Sequence, residues 1–443
     1  MRLITSIIAT LLSSPVYAQP QAAPETLFTN VRVFDGTTPR LSAPTSVLVR
    51  GNTIAAIGPE AVSATTASPQ ATVIQGNGRT LMPGLIDVHV HLVFSSMTMM
   101  SLLAPDLTPE SAFKQAEAEA GRMLLRGFTA VRDVGGPVFP LKAGIDAGRF
   151  PGPRIWPSGA VISQTSGHGD FRLPSEPSRR FTGQLSRAEK LGATFIADGR
   201  DDVLTAVREN LRFGASQLKL MAGGGTSSAY DPVDVTQYTP DEMKAAVEAA
   251  EDWGTYVTVH AYTPRAIRRA LEAGVRSVEH GQLLDEPTLK LMKAKDVILS
   301  LQVLIDNNDS MDENRRIKRA PVLEGQAKVW PLAKRLGVKL AWGTDFLFQP
   351  EINGDQNQYI TALKPWFSPA EILKLVTHDN AQLLARSGLR SPYQGRLGVV
   401  AKGALADLLL VNGDPLSDID LLARPETSFA VIMKDGVLHK NTY

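Results

Sequence analysis

The sequence predicts an α/β protein with a (β/α)₈ TIM barrel over residues 84–390 and a small β-sandwich built from both chain ends, residues 19–83 and 391–443. Two observations predict this fold. In the middle of the chain, eight apolar runs alternate with helical segments, as in βα units on a parallel sheet. At both ends, short β-prone runs are separated by turn residues, a pattern typical of small antiparallel strands.

The eight apolar runs are the predicted barrel strands, and their number favours a closed barrel. They cover residues 85–93, 129–134, 155–162, 217–221, 256–261, 277–281, 297–303 and 340–344. Two helix starts have a capping residue, a proline at the first helical position and a glutamate three residues after the cap. These are Thr239-Pro240-Asp241-Glu242 and Ser368-Pro369-Ala370-Glu371, and Thr108-Pro109-Glu110 is a weaker form of the same signal.

The composition excludes several kinds of partner and of metal site. Lys plus Arg total 46 and Asp plus Glu total 45, so no excess positive field attracts nucleic acid or an anionic membrane. The chain has no cysteine, which excludes disulfides and thiolate ligands. The remaining metal ligands are His, Asp, Glu and modified Lys.

Residues 1–18 have the pattern of a signal peptide. Arg2 gives a positive start, residues 3–12 are mostly apolar, and Val16-Tyr17-Ala18 fits a signal-peptidase site. The apolar run is shorter than the roughly 20 residues of a membrane-spanning helix. We therefore expect cleavage after Ala18 and an exported product, either periplasmic or secreted.

The first predicted strand carries two candidate metal ligands, His89 and His91. Because a strand has period two, both imidazoles and Asp87 project from the same face. Two neutral imidazoles on one face can chelate a cation, and we expect Asp87 to hold a ring N–H. An exposed pair of polar residues is the alternative, which the apolar flanks make less favourable.

Three further candidates lie at the carboxyl ends of later predicted strands, where barrel enzymes build their active sites. His260 and His280 occupy equivalent places on consecutive strands, and Asp345 ends the last one. Each alone has an ordinary structural explanation, a core histidine or a helix N-cap. Together they favour a metal site, in which Asp345 can also accept the proton of an attacking water.

Lys219 is flanked by leucines on the fourth predicted strand. A buried ammonium is costly unless it is paired, and burial favours the neutral amine. That amine can react with carbon dioxide to give a carbamate, which can bridge two cations. An ion-paired lysine at the strand end is the alternative.

These six residues resemble the ligand set of the binuclear amidohydrolase superfamily. The resemblance extends over almost the whole chain after residue 18, through Val31-Arg32-Val33-Phe34-Asp35-Gly36, Met82-Pro83-Gly84-Leu85-Ile86-Asp87 and Gly403-Ala404-Leu405-Ala406-Asp407-Leu408. It implies two divalent metal ions, expected to be zinc, and N6-carboxylation of Lys219. It implies that His89, His91 and Asp345 hold one metal and that His260 and His280 hold the other. Asp345, His280 and Lys219 are then the catalytic residues.

Within the superfamily, the chain most resembles the branch of imidazolonepropionase-like proteins, prolidase-like dipeptidases and ochratoxinase. The resemblance rests on Lys219-Leu220-Met221-Ala222-Gly223-Gly224-Gly225 and Ser277-Val278-Glu279-His280-Gly281. It marks His168, in Gly167-His168-Gly169-Asp170, as a substrate-binding residue, with Tyr230 as a second candidate. Loop-structuring and packing roles are the alternatives for these two residues.

The resemblance implies hydrolysis of an amide or peptide bond to an L-amino acid with a free carboxylate. Ochratoxin A, an aromatic acid joined to phenylalanine, is the leading candidate substrate, and a homo-oligomer is expected. A lactonase or a cyclic-amide hydrolase on the same metals is the alternative. A non-catalytic scaffold like the dihydropyrimidinase-related proteins is disfavoured, because no ligand is missing.

Two other segments receive simpler interpretations. The glycine run at 223–225 lacks the ending of a phosphate loop, so we expect it to give a bulky substrate close access to the backbone. The basic run Arg315-Arg316-Ile317-Lys318-Arg319 is predicted to be a solvated helix face.

Overall fold

The structure, a computed structural model, describes residues 23–65, 71–104, 106–228, 230–305 and 311–443. The predicted signal peptide lies outside the described residues. The strands are Glu25–Val33, Thr45–Arg50, Thr53–Ile57, Thr72–Gln75, Thr80–Pro83, Leu85–Val90, Phe128–Asp133, Arg154–Pro157, Val161–Ser163, Thr194–Ile196, Leu218–Met221, Val257–Ala261, Ser277–His280, Ile298–Gln302, Leu340–Gly343, Leu408–Val411, Phe429–Lys434 and Val437–Asn441.

The helices mostly follow the parallel strands. The α-helices are Pro59–Thr65, Leu92–Ser95, Met99–Leu103, Pro109–Leu125, Phe139–Asp146, Arg179–Thr182, Arg187–Lys190, Arg200–Arg212, Pro240–Asp252, Pro264–Ala273, Glu286–Ala294, Glu313–Leu336, Gln356–Thr361, Pro369–Lys374, Asn380–Ala385 and Pro425–Ser428. Pro350–Asp355, Gly388–Arg390 and Ile419–Ala423 are 3₁₀-helices, and Leu375–Asp379 is a π-helical turn. The three predicted helix starts are confirmed, each with a reciprocal capping box. Within the described residues, no helix has the length and apolar character needed to cross a membrane.

The two chain ends meet in one eight-stranded sheet. Leu408–Val411 pairs antiparallel with Thr80–Pro83, which joins the C-terminal strands to the N-terminal ones. Neighbouring residues of one strand enter different apolar clusters, as period two requires: Phe28 belongs to the cluster that contains Val431, and Leu27 belongs to the one that contains Ala61. The pairing of the chain ends is therefore present, and the two-layer sandwich with its boundaries stays a prediction.

The parallel strands form two sheets. Leu85–Val90, Phe128–Asp133 and Arg154–Pro157 make a three-stranded sheet, and the others, from Val161–Ser163 to Leu340–Gly343, make a seven-stranded one. All eight predicted runs contain a strand, but the ladders do not join into one closed ring.

The third predicted run, 155–162, is interrupted at its centre, and this interruption separates the two sheets. Gly159 has φ +78°, which turns the chain, and the side chain of Asn210 takes over the hydrogen bonds of Ala160. Arg154–Pro157 pairs with Phe128–Asp133, whereas Val161–Ser163 pairs with Leu218–Met221. The single predicted strand is therefore two strands.

On the other side, Leu340–Gly343 approaches Leu85–Val90 without a ladder. The backbone N–H of Asp345 donates to the carbonyl of His89 at 2.8 Å. A Cβ on Gly343 would lie 2.4 Å from both the backbone nitrogen and the Cβ of His89. The absence of a side chain at Gly343 therefore allows this close approach.

We predict that Gly343→Ala lowers the free energy of unfolding by about 1–3 kcal/mol, the usual result of overpacking a tight contact. Urea unfolding of the purified variant measures this change. Gly354→Ala is the matched control, because a Cβ on Gly354 meets nothing within 4 Å. Equal stabilities of the two variants would contradict the close-approach argument.

Candidate metal centre and substrate cavity

All six candidate ligands line one cavity of about 700 Å³ at the carboxyl ends of the parallel strands. His89 lies in Leu85–Val90 and His91 directly follows it; Lys219, His260 and His280 lie in their predicted strands, and Asp345 follows Leu340–Gly343 by two residues. The structure thus brings together every residue that the sequence assigned to the metal site.

The carboxylate of Asp345 is the centre of the cluster. Its Oδ1 is 3.1 Å from His89 Nε2 and 3.4 Å from His91 Nε2, and its Oδ2 is 3.9 Å from His280 Nε2. Lys219 Nζ lies 3.4 Å from His89 Nε2. Ligand atoms around one tetrahedral zinc ion, at 2.0–2.1 Å from it, are about 3.3–3.4 Å apart. The spacing and the nitrogen and oxygen donors therefore fit a divalent cation.

Two of these residues have a left-handed backbone, His280 at φ 77° and Asp345 at φ 59°. Such conformations cost about 1–3 kcal/mol in non-glycine residues and are concentrated at functional sites. At each strand end they interrupt the alternation of side chains. His280 can thus reach the cavity although its neighbour Glu279 is also buried in the interior.

Hydrogen bonds to the far ring nitrogens fix which nitrogen faces the cavity. His91 Nδ1 lies 3.0 Å from the carbonyl of Gly135, and His260 Nε2 lies 3.0 Å from the carbonyl of Gly224. A carbonyl only accepts, so these nitrogens carry the protons. His91 Nε2 and His260 Nδ1 then keep the lone pairs that bind metal.

The partner of His89 differs from the one expected. Its Nδ1 lies 2.9 Å from Oε2 of Glu279. Asp87 instead accepts from the backbone N–H of His89 at 3.0 Å and from the hydroxyl of Thr344 at 2.7 Å. Asp87 therefore ties two strand ends together, and the expectation that it holds a ring N–H is wrong.

Burial also sets the protonation of the cluster. It lowers the pKa of His91, His260 and His280, so these rings are neutral near pH 7. It lowers the pKa of Lys219 to about 8, although the charges of Glu279 and Asp345 act in the opposite direction. The neutral imidazoles are available as ligands, and the lysine gives up its proton more readily than a lysine in water does.

His168 and Tyr230 line the same cavity, but only His168 is firmly held. The imidazole of His168 stacks on that of His260, with centroids 4.0 Å apart, and its Nδ1 lies 3.2 Å from Oδ2 of Asp231. Tyr230 is 56% exposed at the cavity mouth. Asp231 was not singled out in the sequence, because an isolated loop aspartate has no distinguishing pattern.

The glycine run has a different purpose from the one predicted. A Cβ on Gly225 would lie 1.8 Å from Cε1 of His168, and a Cβ on Gly224 would lie 1.7 Å from the carbonyl oxygen of Pro232. From this loop, Thr226 and the residues after it line the cavity. The glycines therefore permit close packing within the protein, and the expectation that they admit the substrate is wrong.

The basic run 315–319 is not simply a solvated face. Arg319 is buried and Arg315 is half-buried, and both line the cavity from the helix Glu313–Leu336. Burial raises the pKa of Tyr262, and the positive charge of Arg319 acts in the opposite direction. The ring of Tyr262 stacks on that of His280, with centroids 5.0 Å apart. Two guanidinium groups thus lie on the wall of the candidate site.

Three phenylalanines form another part of the wall. The ring centroids of Phe94, Phe171 and Phe348 are 5.4–6.1 Å apart, and Phe94 stacks on His91 at 6.0 Å. All three line the cavity. The cavity therefore combines cationic and aromatic surfaces around the histidines.

Imidazoles and carboxylates gathered at the carboxyl ends of parallel strands are the arrangement of a metal-dependent α/β enzyme. Residues 80–440 match the amidohydrolase family, and the chain belongs to that family. It is therefore a hydrolase that acts on amide or peptide C–N bonds, in a family that typically uses divalent metal ions.

Several relatives are similar over most of their length. An ochratoxinase from Aspergillus niger is 30% identical over 375 residues, which cover 81% of this chain and 75% of that protein. A solved prolidase complexed with N-methylphosphonate-L-proline is 33% identical, with a TM-score of 0.84 and coverage of 94% and 100%. An imidazolonepropionase from Anaeromyxobacter dehalogenans is 27% identical over 390 residues, with coverage of 82% and 83%. These are the branches that the sequence resembles.

We predict that Gly225→Ala displaces the His168 ring and lowers kcat/KM on the order of 10²-fold, the scale of a small misplacement at an active site. Metal content should stay unchanged, because His168 is not among the candidate ligands. Steady-state kinetics and elemental analysis measure the two effects, with Gly354→Ala as the control. Wild-type kinetics in Gly225→Ala would contradict a role for His168.

Proposed function

We propose that the protein is a binuclear, zinc-dependent amidohydrolase that cleaves an amide bond to an L-amino acid with a free carboxylate. The observation that carries the proposal is that six candidate ligands line one cavity, with His89, His91 and His280 within 4 Å of the carboxylate of Asp345. His89, His91 and Asp345 would hold one zinc ion, and His260 and His280 the other. Carboxylated Lys219 would bridge them.

The bound cations would polarise the scissile carbonyl and lower the pKa of a bound water to about 7. The protein's own groups supply proton transfer and orientation. Asp345 is 28% exposed towards the cavity, so its carboxylate can accept a proton from the attacking water. It then passes this proton to the leaving nitrogen, which departs as an amine.

The environment of Lys219 supports its carboxylation. The side chain is buried with Nζ against His89 Nε2, and burial shifts the amine towards its neutral form relative to a lysine in water. A neutral amine attacks carbon dioxide and loses a proton, which gives a carbamate anion. This anion would add two oxygen ligands where Nζ lies 3.4 Å from His89 Nε2.

The cavity walls support a substrate with a free carboxylate and an aromatic group. Arg315 and Arg319 offer guanidinium groups, which suit carboxylates through paired hydrogen bonds. His168, held by Asp231, can contact the carbonyl or the carboxylate. The rings of Phe94, Phe171 and Phe348 can pack against an aromatic acid. Ochratoxin A, an aromatic acid amide of phenylalanine, is the leading candidate, in line with the similarity to ochratoxinase.

We predict that Lys219→Ala loses most of its bound metal and nearly all activity, because the bridging anion is removed. A short carboxylic acid such as propionate should restore part of the activity by occupying the vacated space. Elemental analysis and a rate assay with and without the acid make the measurement. Full metal content and wild-type rates would rule out the bridging role.

We predict that Asp345→Asn lowers kcat by about 100-fold or more, the scale of losing a general base. Asparagine keeps the shape of the side chain but does not take up the proton. The assay uses protein with its metal content verified. A rate within threefold of wild type would remove Asp345 from proton transfer.

The substrate class is tested with N-acyl-L-phenylalanine, the same compound with its carboxylate converted to an amide, dipeptides, ochratoxin A, a hydantoin and a lactone. We expect the free acid to exceed the neutral amide by about 10–100-fold in kcat/KM, the range for a charge-assisted hydrogen bond. Arg315→Met should reduce this ratio and leave turnover of the neutral amide unchanged. Turnover confined to the hydantoin or the lactone would overturn the assignment.

A further inference from the structure

We propose that Glu279, anchored by Arg132, is a positioning residue for His89: it holds the imidazole with its proton on Nδ1 and its lone pair on Nε2. The inference deepens the proposed function and rests on it where it concerns cation binding. It assigns a role to two buried charged residues, Arg132 and Glu279, which are not among the residues that line the cavity.

Glu279 lies beneath the ligand cluster with both oxygens engaged. Its Oε2 is 2.9 Å from His89 Nδ1. Its Oε1 accepts from Arg132 Nη2 at 2.5 Å, from the hydroxyl of Thr258, and from the hydroxyl of Ser277 at 3.3 Å. One oxygen is thus committed to the imidazole, and the other is fixed by three donors.

Arg132 is fixed in turn. Its Nε donates to the carbonyl of Val88 at 2.6 Å, and its Nη1 lies 3.2 Å from the hydroxyl of Tyr256. Arg132 and Glu279 are both fully buried. The guanidinium therefore contacts the carbonyl of the residue before His89 and also the carboxylate that contacts the His89 ring. It thus helps to position both the backbone and the imidazole of His89.

This arrangement distinguishes His89 from His91 and His260. His91 and His260 donate to the neutral carbonyls of Gly135 and Gly224. A carbonyl partner also selects the tautomer, but a carboxylate carries a full negative charge and makes the opposite nitrogen more basic than a neutral partner does. We therefore expect Glu279 to strengthen the cation site of His89 and not that of His260.

Glu279→Gln tests this directly. A glutamine amide that turns its NH₂ towards His89 meets a protonated Nδ1 and favours the opposite tautomer, with the proton on Nε2. The reverse orientation places NH₂ against the cationic Arg132 and leaves His89 with a neutral carbonyl partner in place of a carboxylate. In both orientations metal binding at His89 is weakened, and loss of such a partner typically lowers metal affinity 10–100-fold.

The experiment titrates the metal-free full-length protein with Zn²⁺ and follows binding by calorimetry. We expect one of two binding steps to weaken 10–100-fold in Glu279→Gln and the other to change by less than threefold. Ser277→Ala is the matched control, because it removes only the 3.3 Å hydrogen bond to the opposite oxygen. Equal weakening of both steps, or no change in either, would overturn the proposal.

A double-mutant cycle identifies the affected step. Adding Glu279→Gln to His89→Ala should have no further effect on Zn²⁺ affinity, because the ring it positions is already absent. Adding it to His260→Ala should still produce the full loss. An additive loss in the His89→Ala background would show that Glu279 acts through another residue and would overturn the proposal.

A second measurement covers the case in which Glu279→Gln does not fold. Long-range ¹H–¹⁵N spectra of the metal-free wild type, labelled at histidine, report which ring nitrogen of His89 carries the proton. We expect a proton on Nδ1, with the signal assigned by its loss in His89→Ala, and a ring that carries its proton on Nε2 and none on Nδ1 would overturn the proposal. A wild type that binds no Zn²⁺ but shows Nδ1–H would refute the proposed function and leave the positioning of His89 supported.

Discussion

The buried ion pair of Arg132 and Glu279 supports the rest of the active-site region. Arg132 belongs to the three-stranded parallel sheet and Glu279 to the seven-stranded one, and the two sheets share no ladder. Removing one partner of such a pair typically costs about 3–5 kcal/mol, because the other charge is left unpaired in the interior. The pair therefore joins the two sheets at the level directly below the proposed ligands.

Above this pair, small residues and unusual backbone conformations bring the functional groups together. Gly343 lets one strand end approach His89, and Gly225 lets a loop pack against the ring of His168. The left-handed conformations of His280 and Asp345 turn their side chains to the cavity. The backbone is thus locally strained at these two residues, and the strain allows side chains from five strands to line one cavity.

The sequence predicted the six candidate ligands and the strands that carry them, because period two and strand-end position are local properties. It did not reveal Glu279: neighbouring residues of a strand normally face opposite sides, and the positive φ of His280 breaks that rule. The sequence also did not predict the break at Gly159 or the arginines that face the cavity, since both depend on tertiary contacts. A helix face rich in arginine has the same pattern whether it faces solvent or a cavity.

The seam between Leu340–Gly343 and Leu85–Val90 has a thermodynamic consequence for the proposed site. His89 and His91 come from one side of this seam and Asp345 from the other, with a single backbone hydrogen bond from Asp345 to His89 recorded between them. A cation bound by all three residues would hold the two sides of the seam together. By linkage, the free energy by which the bound cation would stabilise the closed seam equals the free energy by which closure of the seam would strengthen cation binding, so folding and cofactor retention would be coupled.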